Sequence, residues 1–157
     1  MKSLFKTSDS VGAALLRVVL AFILFPHGAQ KALGAFNGFG FAGTMDYFTN
    51  TVHLPWLLGF LVIVVEFAGT IFLLFGLATR FWSLSMALLF IGIMLTSHYQ
   101  AGFFMDWFGQ NPKPNNEGYE FDLLFAGAAL ALCWLGGGAL SLDRIIQRKL
   151  NVSQSAN

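Results

Sequence analysis

Four long stretches of almost unbroken apolar residues occupy most of this 157-residue chain, at residues 11–29, 54–78, 81–104 and 121–142. Each stretch reaches the length of about 20 residues that an α-helix needs to cross the hydrocarbon core of a bilayer. Short polar or glycine-rich segments separate them, which favours antiparallel neighbours. The pattern predicts an all-α integral membrane protein in which four transmembrane helices form an antiparallel four-helix bundle.

The segments outside the apolar stretches are short. Residues 1–150 are therefore expected to form a single transmembrane domain, and the polar segment 151–157 is predicted to be a disordered tail. Between residues 34 and 53, glycines are interleaved with phenylalanines, which indicates turns that lie at the membrane interface rather than in water. A short helix is expected within residues 41–50.

Composition supports a membrane environment and excludes some partners. Hydrophobic residues make up 56% of the chain and charged residues only 11%, whereas a soluble domain is about one quarter charged. The net charge of +1 and the lack of an extended basic patch argue against a nucleic-acid partner. Cys133 is the single cysteine, so no intramolecular disulfide and no multi-cysteine metal site can form within the chain.

The distribution of Lys and Arg between the apolar stretches predicts an orientation. In an up-and-down arrangement, six of these residues lie on the side of the N-terminus and two on the other side. The first group is Lys2, Lys6, Arg80, Arg144, Arg148 and Lys149, and the second is Lys31 and Lys113. Because loops rich in Lys and Arg stay in the cytoplasm, both termini are predicted to be cytoplasmic.

Each apolar stretch contains an ionisable residue or has one at its end. The residues are Arg17 and His27 in the first stretch, Glu66 in the second, His98 in the third, and Glu120 and Asp122 in the fourth. A charge at the centre of a membrane helix costs roughly 2.5–3.5 kcal/mol on insertion scales. Such residues persist where they face one another inside the protein, so the sequence predicts a polar interior.

Arg17 and Glu66 lie deepest in their stretches and are predicted to form a structural ion pair, because either charge alone would be uncompensated. Glu120 and Asp122 are about 200° apart on a helix and cannot both point inward. Glu120 aligns with the small residues Gly127 and Ala131, so we expect Glu120 to face inward and Asp122 to face a neighbouring helix or the headgroups.

The remaining ionisable residues are expected to meet near the outer ends of the helices. The predicted ligand-binding pocket consists of His27, Lys31, Glu66, His98 and Glu120. Each also has a structural interpretation. His27 can bond the carbonyl freed by Pro26, Lys31 can extend to the headgroups, His98 can be an interfacial residue, and Glu120 can stabilise a helix N-terminus.

Histidine, lysine and glutamate around an apolar cavity suit the headgroup of a quinone, which needs donors for two carbonyl oxygens, a proton route and aromatic walls. A divalent metal held by the two histidines and a carboxylate is the weaker alternative, because Lys31 is close and no H-x-x-x-H or E-x-x-H spacing is present. No metal site is predicted, and no catalytic residue is assigned.

Several of these residues also resemble the DoxX family of small membrane proteins. The resemblance extends over residues 13–143 and is most specific in the His-Gly-x-x-Lys element. The matching positions are Leu16 and Arg17, Phe25-Pro26-His27-Gly28 with Gln30 and Lys31, Glu66-Phe67-Ala68-Gly69 with Gly76 and Leu77, Glu120, and residues 136–143.

The resemblance implies a four-helix protein of the bacterial inner membrane. The family is tied to a subunit of a thiosulfate:quinone oxidoreductase, and other members to oxidative-stress complexes, so a redox-associated, quinone-linked subunit with a further redox subunit or a second copy as partner is expected. Cys133 lies far from the outer cluster, which argues against sulfur chemistry here. Two alternatives stay open: a scaffold without catalysis, and a transporter of protons or small molecules.

Overall fold

The computed structural model describes residues 4–106 and 117–155, with the backbone alone for residues 152–155. These ranges contain helices and no β-strand, so the prediction of an all-α protein is confirmed. The α-helices are α1 (Val11–Leu33), α2 (Gly40–Asp46), α3 (Trp56–Phe75), α4 (Thr79–Ile93), α5 (Glu120–Leu135) and α6 (Leu142–Ser155).

In the described part of the chain, three helical segments are long and apolar enough to cross a membrane: α1, α3 and the continuous run Thr79–Ala101. That run consists of α4, a π-helical turn at Met94–His98 and a 3-10 turn at Tyr99–Ala101. Helix α5 has 16 residues and is shorter than a typical span.

The sequence predicted that the fourth apolar stretch forms one helix as far as residue 142, but α5 ends at Leu135. The chain leaves the helix at Gly136 and turns again at Gly138, and both glycines have positive φ angles, 79° and 72°. This backbone region disfavours side chains, so the Gly-Gly-Gly sequence ends α5. Helix α6 then continues to Ser155. The predicted disordered tail is therefore corrected for residues 151–155, and residues 156–157 lie outside the described ranges.

The four longest apolar helices pack most extensively as two pairs, α1 with α3 and α4 with α5. The pairs join through contacts of α3 with α4 and of α1 with α5, around a core that includes Leu20, Leu73, Met86 and Leu132. We call the end that contains the start of α1 and the α3–α4 turn the basal end. The opposite end, where α1 finishes and α3 begins, is the distal end.

At the distal end, α1 continues through Pro26 to Leu33 and ends at Gly34, whose φ of 73° allows its N–H to bond Ala29 and Gln30. The short helix expected within residues 41–50 is present as α2, followed by a π-helical turn at Tyr47–Thr51. Helix α2 contacts both α1 and α3. It therefore fixes the distal ends of the first helix pair.

At the basal end, Arg17 is 2% exposed, and its guanidinium donates hydrogen bonds to four backbone carbonyls. Two belong to Leu73 and Leu74 in the last turn of α3, where carbonyls lack helical partners. The others belong to Gly137, at 3.0 Å, and Leu140, at 3.3 Å, in the α5–α6 loop. Arg17 therefore joins three segments of the chain.

The predicted ion pair between Arg17 and Glu66 is wrong. Arg17 bonds the C-terminal end of α3, whereas Glu66 lies about two turns earlier in that helix and pairs with Lys31. The burial of Arg17 is compensated by oriented carbonyls at a helix C-terminus, which attract a cation. A sequence identifies side-chain partners by residue type but does not identify backbone carbonyls, so this form of compensation was not predicted.

Asp143, 1% exposed, holds the start of α6 against the start of α4. Its carboxylate accepts hydrogen bonds from the backbone N–H groups of Ala78, at 2.7 Å, and Thr79, at 2.9 Å. Its own N–H donates to the carbonyl of Gly76 at 2.9 Å. A carboxylate at a helix N-terminus satisfies unpaired N–H groups and the helix dipole together.

Candidate functional site

A cavity of about 550 Å³ lies between the α1–α3 pair and the α4–α5 pair, toward the distal end. Its lining is mainly apolar, with Leu24, Val62, Phe90, Ile93 and Phe125 among the contributors. The polar side chains in the lining come from both helix pairs and from the distal loops. The cavity is of the size and composition of small-molecule sites in proteins, which enclose roughly 300–1,000 Å³.

The first helix pair contributes an ion pair to this cavity. Lys31, in the last turn of α1, places Nζ 2.5 Å from Oε2 of Glu66, which lies in the middle of α3. The Glu66 side chain is 7% exposed and that of Lys31 is 27% exposed. The carboxylate is thus enclosed by protein, and the ammonium is the more exposed member of the pair.

The close contact of α1 with α3 depends on Gly28. A Cβ atom at this position would lie 2.7 Å from the Cα of Phe67 and inside van der Waals contact of the Glu66 carbonyl. Only glycine lets the two backbones approach this closely. Because Lys31 lies one turn beyond Gly28, this contact brings its side chain within reach of Glu66.

The second helix pair contributes a histidine–carboxylate pair. His98 Nδ1 lies 2.6 Å from Oδ2 of Asp122, and Asp122 is buried in the first turn of α5. An ionised Asp122 accepts a hydrogen bond from Nδ1–H, which leaves Nε2 as the ring nitrogen that can bond a ligand. Nε2 accepts a hydrogen bond when the ring is neutral and donates one when it is protonated.

A π-helical turn positions His98. Met94–His98 interrupts the α-helical geometry of the run Thr79–Ala101, and His98 is the last residue of that turn. A π turn contains one residue more than an α turn and changes the face on which the following residues lie. Both π turns of the described chain border the cavity, since Tyr47 and Phe48 of the other turn also line it.

The predicted inward position of Glu120 is wrong, whereas Asp122 faces a neighbouring helical run, as predicted, through its contact with His98. Asp122 lines the cavity, whereas Oε1 of Glu120 accepts a hydrogen bond from the backbone N–H of Met105 at 3.1 Å, outside the lining. The stripe on which the prediction relied, Gly127 and Ala131, is exposed. The buried stripe of α5 consists of Asp122, Ala126, Ala129 and Leu132.

The other predicted pocket residues, His27, Lys31, Glu66 and His98, line the cavity together. His27 is exposed, and its imidazole has no hydrogen bond or ion pair with any residue in the described ranges. Its imidazole is therefore open to a ligand at the cavity rim. Tyr47 and Glu117 also line the cavity and were not predicted. They lie in a π-helical turn and in a distal loop, where α-helical periodicity carries no information.

The basal part of the lining is apolar, and most of its ionisable side chains lie farther toward the distal end. Along α1, Ile23 and Leu24 lie on the basal side of His27 and Lys31. On the other helix pair, the rings of Phe90 and Phe125 stack 5.0 Å apart and pack against the core. These rings form the basal floor of the cavity, so a bound molecule would place its polar groups distally and its apolar groups toward the floor.

Comparison with known proteins assigns a family. The sequence model named DoxX matches residues 12–99, which is more than half of the chain. The chain belongs to the DoxX family. The matched segment includes Arg17, His27, Lys31, Glu66 and His98, and it ends before α5. Asp122, which completes the second pair, is therefore identified by the structure and not by the family match.

Curated relatives of this DoxX protein match nearly their whole length. The chain is 30% identical to "Putative oxidoreductase CatD" of Bacillus subtilis (strain 168), over 88% of this chain and 90% of that protein. It is 33% identical to inner membrane protein YphA of Escherichia coli (strain K12), over 83% and 86%. Inner membrane protein YqjF of the same organism is 28% identical, over 92% and 98%. No solved structure matches the chain significantly.

The observed pairing gives a prediction about Glu66. In a double-mutant cycle, Lys31→Met and Glu66→Gln are expected to be coupled by roughly 0.5–3 kcal/mol, because each change removes the partner of the other residue. The measurement is the free energy of unfolding in detergent. Arg17→Lys combined with Glu66→Gln serves as the control, and its effects should add within about 0.5 kcal/mol. Coupling in the control cycle and additivity in the first would contradict the observed pairing.

Proposed function

We propose that this DoxX protein is a redox-associated component of the inner membrane and that its cavity binds the headgroup of a quinone. The observation that carries the proposal is the arrangement of two buried carboxylates, Glu66 and Asp122, each paired with a proton-bearing group, around one apolar cavity. The name of the Bacillus subtilis relative, which describes an oxidoreductase, agrees with it.

The cavity matches the chemistry of a quinone headgroup. A quinone has two carbonyl oxygens on opposite edges of a flat apolar ring, and each oxygen accepts hydrogen bonds. Lys31 Nζ and the Nε2 of protonated His98 are donors that come from different helix pairs, as two separated oxygens require. The rings of Phe90, Phe121 and Phe125 offer apolar surfaces against which the headgroup can pack.

The two pairs can also supply protons. Reduction of a quinone to a quinol takes up two electrons and two protons, and each C=O group becomes C–OH. In this proposal a partner oxidoreductase subunit delivers the electrons. His98 and Lys31 each donate one proton to a quinone oxygen, and Asp122 and Glu66 attract the replacement protons to those sites.

A titration with a short-chain benzoquinone analogue tests the proposal. The purified protein is expected to bind it saturably, and His98→Ala should weaken binding about 10-fold to 100-fold, because a hydrogen bond from a charged donor contributes roughly 1.5–3 kcal/mol. Glu120→Gln is the matched control, since Glu120 is an ionisable distal residue outside the cavity lining. Binding to this control should equal that of the wild type.

The same experiment separates the alternatives. Absence of saturable binding to the wild-type protein, or equal affinity of wild type and His98→Ala, would contradict the quinone proposal. Flux of protons or of a small solute into liposomes that contain the protein would then favour a transporter. Absence of both, together with co-purification of a specific partner, would favour a scaffold.

We further propose that α5 is a fourth transmembrane helix. Its 16 residues extend about 24 Å, and the neighbouring spans against which it packs are long enough to cross the bilayer. The hydrocarbon core is about 30 Å thick, so α5 would cross with local thinning or with its polar ends drawn inward. Four antiparallel spans place both termini on one side, which the excess of Lys and Arg assigns to the cytoplasm.

Cysteine labelling in cells tests this orientation. In a Cys133→Ala background, Thr51→Cys at the distal end is expected to react with a membrane-impermeant maleimide added outside the inner membrane. Asn151→Cys, in α6, should react only after the membrane is permeabilised. Both side chains are exposed, so the two variants differ in location and not in accessibility within the protein. The opposite labelling pattern would reverse the orientation, and labelling of both from outside would contradict a fourth span.

A further inference from the structure

Helix α6 is fixed at its start to the basal end of the helical domain. Asp143 bonds the N-terminus of α4, and Arg144 Nε lies 2.5 Å from Oδ1 of Asp9 in the N-terminal segment. One turn later, Oε1 of Gln147 accepts a hydrogen bond from the backbone N–H of Thr7 at 3.0 Å. These contacts give α6 a defined direction relative to the spans.

The apolar side chains of α6 are only partly covered. At 100° per residue, Leu142, Ile145, Ile146 and Leu150 fall within a sector about 140° wide. Ile145 is 52% exposed, and Leu142 and Leu150 are also exposed. Trp134, at the end of α5, is 82% exposed and Leu140, just before α6, is 91% exposed. The apolar sector thus adjoins apolar side chains at the level where α5 ends.

Exposed basic side chains accompany the apolar sector of α6. Arg148 lies about 60° outside one edge of the sector, whereas Lys149 falls within it, between Ile145 and Leu142, so its long side chain must extend past the apolar side chains. Lys6, in the N-terminal segment that α6 contacts, is also exposed. Asp143 is the one acidic residue in the sequence of α6, and it is buried and bonded to the start of α4. Asp9, which is exposed, already has Arg144 as its partner. The exposed charge at this surface is therefore positive.

We infer that α6 lies in the membrane interface at the basal end, with Ile145 in the acyl-chain boundary and Arg148 and Lys149 on anionic phospholipid headgroups. An apolar sector beside exposed cations is the pattern of helices that lie flat on a bilayer. The transmembrane helices already hold α6 close to the interface. Contact with anionic headgroups is therefore needed only to set how deeply α6 lies in it. This inference depends on the membrane embedding of the helical domain and is independent of the quinone proposal.

The depth of α6 can be measured in the full-length protein. In the Cys133→Ala background, an environment-sensitive fluorophore is attached at Ile145→Cys and, as the control, at Asn151→Cys, which lies on the opposite face. In vesicles of phosphatidylcholine with phosphatidylglycerol, lipids carrying a nitroxide near the headgroup should quench the probe at 145 strongly and the probe at 151 weakly. Equal quenching at both positions would overturn the inference.

The charge dependence is tested separately. The quenching at 145 should increase with the fraction of phosphatidylglycerol, and Arg148→Gln and Lys149→Gln should each weaken this response roughly fivefold, as expected for one cation near an anionic surface. The charge-preserving variants Arg148→Lys and Lys149→Arg should respond as the wild type does. Quenching at position 145 that does not depend on phosphatidylglycerol would contradict the role of the anionic headgroups. Cross-linking between two copies at position 145, in place of quenching, would show that a second copy covers α6.

Discussion

Replacement of Arg17 by methionine is expected to destabilise the protein by about 3–5 kcal/mol. Methionine fills a similar volume but donates no hydrogen bond, so the carbonyls of Leu73, Leu74, Gly137 and Leu140 lose a shared partner in a buried site. The substitution also removes the cation from the C-terminal end of α3. Unfolding of the purified protein in mixed detergent micelles measures the effect.

Arg80 offers a matched control at the same end of the protein. Its guanidinium also donates to two carbonyls, those of Lys6 and Trp134, both at 2.8 Å, but these bonds are exposed. Water can replace them, so Arg80→Met should lower the free energy of unfolding by about 1 kcal/mol or less. Equal losses for the two methionine variants would mean that burial of the Arg17 bonds has no special importance.

Substitution of Gly28 by alanine is expected to be the second large effect. The added methyl group would overlap the backbone of Glu66 and Phe67, and backbone atoms cannot move aside as the end of a side chain can. Separation of α1 from α3 should lower the free energy of unfolding by roughly 1–3 kcal/mol or more. It should also move Lys31 away from Glu66, so binding of the quinone analogue should weaken in the folded fraction.

Gly127 provides the control for this prediction. It lies in the middle of α5, and an added Cβ would meet no atom within 4 Å. Alanine is the better helix former by about 1 kcal/mol, so Gly127→Ala should leave stability unchanged or raise it. If both alanine variants behaved alike, the loss at Gly28 could not be attributed to the contact between α1 and α3.

The sequence was sufficient to predict the helical class and four of the ionisable side chains that line the cavity. Hydropathy located the apolar stretches, because a helix that crosses lipid needs about 20 predominantly apolar residues. The convergence of His27, Lys31, Glu66 and His98 followed from depth and helical periodicity. Hydropathy, depth and helical periodicity are properties that each helix has by itself.

The features that were mispredicted depend on contacts between segments. The partner of Arg17 is a set of backbone carbonyls, and no residue type in the sequence identifies them. The buried face of α5 could not be assigned from Gly127 and Ala131 alone, since small residues also occur on lipid-facing surfaces. The spacing of Asp122 with Ala126 and Ala129 was the better signal, because this stripe packs against the neighbouring helices.

The π turn at Met94–His98 makes the second charged pair sensitive to the geometry of a single helical turn. An ordinary α-helix over the same residues would rotate His98 by roughly 100° away from Asp122, because a π turn takes up one residue more than an α turn. Helices α4 and α5 would keep their own apolar faces. Separation of the histidine from the carboxylate thus requires no unfolding of a span, only a change of helical geometry over five residues.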